Sequence, residues 1–395
     1  MQHLWGHVTS VYAAPTLTRS YAAIPDALKP AFGFCVQQVR QYDYLNYVWV
    51  SQAPKELRPA LFALRAFNVE TGLVADTVRS KEAVVGQIRF QWWRDAVKAA
   101  FEGRPPNHPV ALALSHVLHA GAPEAAGAGP ISSASSSSSA KDDSSSSSDS
   151  DSSSDSSDSD SDSDTCGGGC GSSIHGAGAV SSEAGVVGWR GGGGPASRYS
   201  RYSFKRIIDC READFLDPQP PLDLQALEQY AEGTASQLMY MQLSAAGIKH
   251  RDADHAASHL GRAAGITTLL RGTAAHAAAR RSYLPFDLCA EAHVSQEDVY
   301  GGVVSEGLRD VVHKVASLAK GHLDEARRLA PRLPPGAAGV MLPAVGVGRY
   351  LEALEAANFD PFDGRLAREH GGGGEGSAPL SYVLALKWHQ LRGTY

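Results

Sequence analysis

Apolar residues recur at steps of three and four along much of the chain, the spacing of one face of an α-helix. The longest stripe covers about five helical turns. Its members are Leu308, Val311, Val312, Val315, Leu318, Ala319, Leu323 and Ala326. Two shorter stripes comprise Leu61, Leu64, Phe67 and Val74, and Leu224, Leu227, Tyr230, Ala231, Leu238 and Met241. No useful length of sequence alternates as a strand would. The pattern predicts an all-α fold, one domain of stacked helices around a central cavity.

Prolines and glycines divide the helical stretches. Proline is tolerated in the first turn of a helix and disrupts its interior, and here it falls at or near the ends of the periodic segments. These prolines are Pro54, Pro59, Pro285, Pro331, Pro334 and Pro335. The glycines from Gly371 to Gly374 predict a loop before a last helix, which is predicted to run from Leu380 to Leu391.

One segment, residues 121–200, breaks the helical pattern. Ser132 to Asp164 is almost wholly serine and aspartate, and Cys166 to Gly194 is rich in glycine. So few apolar side chains cannot offset the entropic cost of ordering the backbone, and we expect a long disordered insertion. A flexible loop adds only a logarithmic closure cost. The insertion is therefore expected to divide one domain into a first part, 22–120, and a second part, 201–395.

The acidic charge of the chain is concentrated in that insertion. The formal net charge is −6, yet the stretch from Glu124 to Arg198 holds eleven acidic and three basic residues. The remainder therefore carries +2 and has no basic patch with interleaved aromatic residues, so no nucleic-acid partner is expected. Five scattered cysteines argue against a secreted disulfide framework. No apolar run approaches the roughly 18 residues of a transmembrane helix, so any membrane association would be peripheral.

The N-terminus has features of a mitochondrial transit peptide. No acidic residue precedes Asp26, and Arg19 lies among hydroxyl-bearing and apolar residues, a composition that is typical of such peptides. The order Arg19-Ser20-Tyr21-Ala22 resembles a matrix-processing site with cleavage after Tyr21. Residues 1–21 are therefore predicted to be a transit peptide. The alternative is an untargeted N-terminus.

A long stretch in the second half carries the most informative motif. It contains Leu260, Gly261, Ala263, Leu270, Arg271, Arg281, Tyr283, Leu284 and Pro285. This framework resembles the active-site helix of the squalene/phytoene synthase family, and the resemblance implies an isoprenoid-synthase-like helical domain. Where that family has aspartate, glutamate and aspartate, this chain has Gly272, Ala275 and His276.

The facing helix of the family carries a second acidic motif. The lead-in from Ala63 to Phe67 resembles it, but Gly72 and Leu73 replace the paired aspartates and Val69 replaces an arginine. Carboxylate oxygens are the main protein ligands of Mg²⁺. Of the acidic residues that the two motifs supply in the family, only Asp76 remains in this chain. We therefore expect no metal, no cofactor and no catalytic residue. The positions expected around this vestigial cavity are Glu70, Gly72, Asp76, Arg271, Gly272, Ala275, His276, Arg281 and Tyr283.

Further segments resemble a mitochondrial branch of the same family, the complex I assembly factor type. They are Cys35–Arg40, Tyr42–Tyr47, Phe62–Glu70, Gln87–Arg94, Ser258–Gly261, Leu284–Cys289, Val294–Asp298, Arg309–Val312 and Lys387–Arg392. The resemblance implies a pseudoenzyme, a non-catalytic interaction scaffold on the matrix side of the mitochondrial inner membrane. Its implied partners are complex I subunits or other assembly factors.

Two alternatives from other functional classes stay open. The first is a prenyl-diphosphate transferase of the squalene/phytoene synthase type with a reduced or relocated metal site. The second is a metal-independent isoprenoid or lipid carrier that uses the apolar cavity. Arg271 bears on the second, since it either binds an anion directly or pairs with Asp76 or Glu70. Pairing is favoured because buried charges are usually paired.

Other candidate groups favour structural interpretations. His255 and His259 lie four apart and offer two ligands for zinc, but no third ligand is near in sequence, so surface or core histidines are favoured. Cys166 and Cys170 have the wrong spacing for CxxC redox chemistry. Large aromatic side chains are expected in the core or between helices. Those considered are Trp92, Trp93 and Trp388.

Overall fold

The structure, a computed structural model, describes residues 24–77, 83–120, 198–369 and 380–395. These residues form helices and connecting turns and include no strand, which confirms the all-α prediction. The predicted transit peptide lies outside the described residues. So does most of the predicted insertion, including Cys166 and Cys170.

The first part of the chain contains α1 to α6. They are α1 (Lys29–Tyr42), α2 (Tyr44–Gln52), α3 (Arg58–Gly72), α4 (Val74–Thr77), α5 (Ala83–Phe101) and α6 (Pro109–His119). A 3₁₀ turn, Asp26–Leu28, precedes α1. Prolines stand in the first turns of α1, α3 and α6, where the missing amide proton has no partner inside the helix.

The second part contains α7 to α18. They are α7 (Arg201–Leu216), α8 (Leu224–Ala231), α9 (Gln237–Ala245), α10 (Arg251–Arg271), α11 (Thr273–Ala278), α12 (Phe286–Glu291), α13 (Gln296–Tyr300), α14 (Glu306–Arg328), α15 (Ala337–Met341), α16 (Pro343–Ala356), α17 (Gly364–Glu369) and α18 (Leu380–Arg392). A π-helical turn, Glu232–Ser236, joins α8 to α9. A 3₁₀ turn, Ala330–Arg332, follows α14.

The longest predicted stripe forms the buried face of α14. Every member is buried except Leu318, which packs half-buried against the core. The helix begins after Ser305, whose hydroxyl accepts a hydrogen bond from the amide of Leu308 at 3.1 Å. This cap satisfies one of the amides that have no intrahelical acceptor. The predicted last helix is confirmed as well and ends one residue later than expected, at Arg392.

Helix α10 lies at the centre and contacts α8, α9, α14 and α16. Small residues allow α10 to pack closely against the segment that joins α8 to α9. A Cβ atom at Gly261 would lie 2.3 Å from the Cα of Ser236, inside the π-helical turn. A Cβ at Gly265 would lie 2.7 Å from the Cβ of Ala231. The two glycines therefore set how closely α10 crosses the α8–α9 segment.

The two parts of the chain that flank residues 121–197 share one apolar core. The rings of Phe67 on α3 and Phe204 on α7 meet edge to face with centroids 5.1 Å apart. Arg94 on α5 forms an ion pair with Asp209 on α7 at 2.8 Å. None of the helices in the described ranges combines the length and the apolar character needed to cross a bilayer.

We expect opposite effects from alanine at two helical glycines. Gly261→Ala should lower the free energy of unfolding by about 1–3 kcal/mol, because the new methyl group overlaps the backbone of Ser236. Gly321→Ala should raise it by about 0.5–1 kcal/mol, because Gly321 is exposed on α14 and nothing lies within 4 Å of the place that its methyl group would take. Urea unfolding of the wild-type chain and of both variants measures the two changes in the free energy of unfolding. A Gly261→Ala variant that is as stable as the wild-type chain would contradict the crossing geometry.

Candidate functional site

A cavity of about 300 Å³ lies between the α1–α2 junction, α3, α7, the α8–α9 segment, α10, α16 and α18. This volume is at the lower end for small-molecule sites. Most lining side chains are apolar or small. The polar and charged lining residues are Asp43, Asn46, Arg65, Asn68, Arg211, Thr234, Thr267, Thr268 and Arg271, with the tyrosines Tyr42, Tyr230 and Tyr382. The chemistry of the cavity therefore rests on three arginines and one carboxylate.

The carboxylate, Asp43, already has a cationic partner. Its Oδ2 atom lies 3.2 Å from Nη1 of Arg65, and both side chains are largely buried. The guanidinium of Arg65 also lies over the ring of Trp49, 5.4 Å from its centroid. Asp43 sits between α1 and α2, so the pair joins that junction to α3. Since Asp43 is the only carboxylate among the described lining residues, this pair leaves the described part of the cavity without an unpaired carboxylate.

Arg211 on α7 fills the space beside Gly72. Its Nη1 donates to the backbone oxygen of Asn68 at 2.6 Å and to the hydroxyl of Thr71. Its Nη2 donates to Oδ1 of Asn68 at 2.7 Å. A Cβ atom at Gly72 would lie 3.6 Å from the guanidinium carbon. A side chain at position 72 would therefore meet a positive charge supplied by the protein.

Arg281 and Tyr283 converge on a second residue of α7. Nη2 of Arg281 lies 2.9 Å from Oδ1 of Asp214, and the hydroxyl of Tyr283 donates to Oδ2 at 2.8 Å. Burial, with Tyr230 and Asp214 nearby, raises the pKa of Tyr283 above its usual range. Arg281 and Tyr283, which the motif predicted to lie around the cavity, therefore lie close together. Both contact the carboxylate of Asp214, a residue that is not part of the motif.

His276 fills the space above Gly272. A Cβ atom at Gly272 would lie 2.5 Å from Cε1 of the His276 ring. The ring packs edge-on against Tyr283 with centroids 4.7 Å apart. Burial lowers the pKa of His276 to about 4, and the charge of Arg281 acts in the same direction. Near pH 7 this position therefore holds a neutral imidazole, while Ala275 is exposed.

The remaining expected positions are spread out. Glu70 is half-buried and Asp76 is exposed on α4, and neither lines the cavity. Burial raises the pKa of Glu70, while Arg89 opposes the shift. Arg271 does line the cavity, but no carboxylate of the described residues forms an ion pair with it. The prediction that Arg271 pairs with Asp76 or Glu70 is therefore wrong, because both carboxylates lie outside the cavity.

The histidine pair of α10 belongs to a chain of hydrogen bonds. Nε2 of His259 lies 3.2 Å from Nε2 of His255, and its Nδ1 lies 2.9 Å from Nδ1 of His322 on α14. His322 in turn lies 2.5 Å from Oε1 of Glu228 on α8. In the described ranges no three potential ligands are arranged around a common point to hold a metal ion.

The tryptophans divide between core and surface. Trp93 is buried against Phe67, with ring centroids 5.6 Å apart, as expected. Trp92 is 39% exposed and packs partly on Trp93. Trp388 is 55% exposed, so its predicted place in the core or between helices is wrong. Its helix turns a different face, that of Tyr382 and Leu386, towards the protein.

Sequence reasoning missed Arg211 and Asp214. Both lie on α7, three positions apart, and therefore share one face of the helix. A positively and a negatively charged residue at this spacing, on a helix with apolar residues at Phe204, Ile207 and Ile208, was the available signal. It does not identify their partners, which lie far away along the chain.

The sequence pattern of squalene/phytoene synthases matches residues 39–126 and 195–370. The chain belongs to the squalene/phytoene synthase family. Among known proteins, it is 31% identical to the NADH dehydrogenase (ubiquinone) complex I, assembly factor 6 of Bos taurus, over 85% of this chain and 78% of that protein. The Rattus norvegicus protein of the same name is 30% identical over 93% of this chain and 86% of its own length.

Solved structures of the squalene/phytoene synthase family share the fold. A dehydrosqualene synthase crystallised with a ligand superimposes with a TM-score of 0.60, covers 92% of this chain and 96% of its own, and is 15% identical. This likeness confirms the expected helical architecture around a cavity.

We expect Arg211 to be important for stability. Arg211→Met should lower the free energy of unfolding by about 1–3 kcal/mol, because the oxygens of Asn68 and Thr71 lose charged donors. Arg206→Met on the same helix is the control, and since Arg206 is exposed it should change stability by less than about 0.5 kcal/mol. Chemical unfolding compares the two variants. Equal effects would show that Arg211 has no special role.

His276 should make stability depend on pH. The unfolded imidazole takes up a proton near pH 6.5, whereas the folded one resists protonation until about pH 4. Wild-type stability relative to His276→Gln should therefore fall as the pH falls from 6.5 to 4, by up to about 3 kcal/mol, and stay constant above pH 7. Urea unfolding of both proteins across this range measures the difference. A difference that does not change with pH would contradict a buried, neutral His276.

Proposed function

We propose that this chain is a non-catalytic assembly factor for mitochondrial respiratory complex I, which uses a squalene/phytoene synthase fold as an interaction scaffold. The relatives named complex I assembly factor 6 support this proposal, because they match most of the chain at about twice the identity of the solved synthase. One structural observation carries the non-catalytic part: among the described residues, the only carboxylate that lines the cavity, Asp43, is paired with Arg65.

The argument against prenyl transfer is electrostatic. Ionising a prenyl diphosphate requires Mg²⁺ to offset the charge of the leaving group, and Mg²⁺ requires oxygen ligands. The resemblance places acidic motifs at positions 72 and 272, where this chain has glycine. Beside Gly72 stands the guanidinium of Arg211, and above Gly272 stands the uncharged ring of His276. A cation and a neutral imidazole cannot assemble a magnesium cluster.

The proposed setting is the matrix side of the mitochondrial inner membrane, with peripheral attachment. The transit-peptide-like composition of residues 1–21 and the names of the relatives support this location. The proposed partners are complex I subunits or other assembly factors. In this role the fold contributes stable outer surfaces, and its cavity performs no reaction.

Deleting the gene in its own organism should reduce the amount of assembled complex I and its NADH oxidation activity. Re-expression of the wild-type chain should restore both. Asp76→Asn should restore them equally well, because Asp76 is exposed and, in this proposal, holds no metal. Native gel electrophoresis and activity staining of isolated mitochondria provide the measurements. Normal complex I after deletion would contradict the assembly role.

Purified protein separates this proposal from its two alternatives. Product formation from farnesyl diphosphate and Mg²⁺ would overturn the non-catalytic proposal and favour the transferase. The carrier alternative gains support from Arg271, a cavity-lining residue that forms no ion pair with a described carboxylate. Stoichiometric lipid in an organic extract, detected by mass spectrometry, would favour the carrier; lipid-free protein that supports complex I assembly would remove it.

A further inference from the structure

The last described helix, α18, has two contrasting apolar faces. One face packs on the protein: Leu386 is buried, and the buried Tyr382 lies near α2, with its hydroxyl 3.4 Å from the backbone oxygen of Leu45. The other face carries four large apolar side chains that are more than half exposed. These are Leu380 (72%), Leu384 (59%), Trp388 (55%) and Leu391 (52%).

The exposed residues form a continuous stripe. Their spacing of four, four and three places them along one side of the helix, over a length of about 17 Å. Single exposed apolar residues are common on protein surfaces and need no explanation, whereas contiguous apolar patches usually mark an interaction site. A helix with a buried face and a second apolar face is therefore expected to contact something beyond its own domain.

The charge around the stripe indicates which partner fits. Residues 380–395 include Lys387, His389 and Arg392 and contain no aspartate or glutamate. The guanidinium of Arg392 lies over the ring of Trp388, 4.2 Å from its centroid. From neighbouring elements, Arg349 donates to the hydroxyl of Ser381 at 3.0 Å, and Arg327 donates to the backbone oxygen of Tyr395 at 3.1 Å. The segment that carries the stripe is therefore cationic, and two arginines of neighbouring elements contact it.

Helix α5 provides a comparison within the same molecule. It also exposes apolar residues at steps of four, namely Val84, Ile88 and Trp92. However, Trp92 packs partly on Trp93, and the helix carries Asp95, whose carboxylate accepts a hydrogen bond from Gln91. Helix α5 therefore mixes this carboxylate with the basic Arg89, Arg94 and Lys98, whereas residues 380–395 contain no acidic residue.

We propose that α18 docks on the surface of an anionic lipid bilayer. The leucines and Trp388 would enter the boundary between headgroups and acyl chains, while Lys387 and Arg392 meet lipid phosphates, as in interfacial amphipathic helices. This inference deepens the proposed function and rests on it only for the inner membrane as the source of the lipid. Failure to bind lipid would leave the complex I role untouched, because binding is measured on the purified chain alone.

Co-sedimentation with phosphatidylcholine vesicles, with and without phosphatidylglycerol, tests whether the exposed stripe of α18 binds anionic lipid. The wild-type chain should bind the anionic vesicles preferentially, and added salt should weaken the binding. Leu384→Glu with Trp388→Glu should weaken it at least about tenfold. Lys387→Gln with Arg392→Gln should weaken it by about tenfold on anionic vesicles. The matched control, Val84→Glu with Ile88→Glu, should leave binding within about twofold.

Tryptophan quenching locates the contact without charged substitutions. Lipids brominated in their acyl chains quench fluorescence only at close range, so Trp388→Phe should remove most of the lipid-dependent quenching and Trp92→Phe should retain it. The opposite result would move the docking surface to α5. Absence of vesicle binding by the wild-type chain would overturn the proposal. So would a dimer in light scattering that Leu384→Glu with Trp388→Glu dissociates while vesicle binding persists, because a second copy would then cover the stripe.

Discussion

The close crossing of α10 over the π-helical turn between α8 and α9 is the constraint on which the cavity depends. At Gly261 and Gly265 no side chain fits between α10 and Ser236 or Ala231. The same stretch of α10 supplies Ala264, Gly265 and Thr268 to the cavity wall, and the turn supplies Thr234 and Ala235. A wider crossing would separate these walls and expose the apolar residues of α10 that are now fully buried. The cavity is thus a consequence of backbone packing and persists whatever chemistry its side chains perform.

The two carboxylates around the site, Asp43 and Asp214, are both paired with arginines of the protein. Asp43 pairs with Arg65, and Asp214 pairs with Arg281 and accepts from Tyr283. The guanidinium of Arg211 donates hydrogen bonds to Asn68 and Thr71. A divalent cation would have to compete with guanidinium groups that are already hydrogen-bonded in place, and removing one member of such a pair leaves the other uncompensated. These contacts connect α7, α3 and the segment after α11, so the charged groups around the cavity hold helices together.

Local sequence was sufficient to predict the helices and insufficient to predict which side chains of different helices would meet. The stripe of α14 and the extent of α18 follow from residues within one helix, and periodicity reports such patterns directly. The positions Arg281, Tyr283 and His276 came from the resemblance to the family motif, and they lie together. Arg271 was expected to meet Asp76 or Glu70, but the orientation of α4 and of the end of α3 decides that contact. Arg211 could not be found, because its importance depends on an approach across more than a hundred residues of chain.

The exposure of Trp388 was also not predictable from local sequence. Its size favoured burial, yet its exposure is decided by which side of α18 meets α2 and α16, a tertiary choice that leaves no mark on the helix itself. Tyr382, on the packed side, lines the cavity, and the exposed stripe lies on the other side of the same helix. The two surfaces are thus separated by the width of one helix, about 10 Å. Because α18 is attached through Tyr382 and Leu386, residues that take no part in the charge pairs of Arg211 and Arg281, the outer face can adapt to a partner without disturbing those pairs. The helix can in this way present a well-defined outer surface that does not depend on the charge pairs around the cavity.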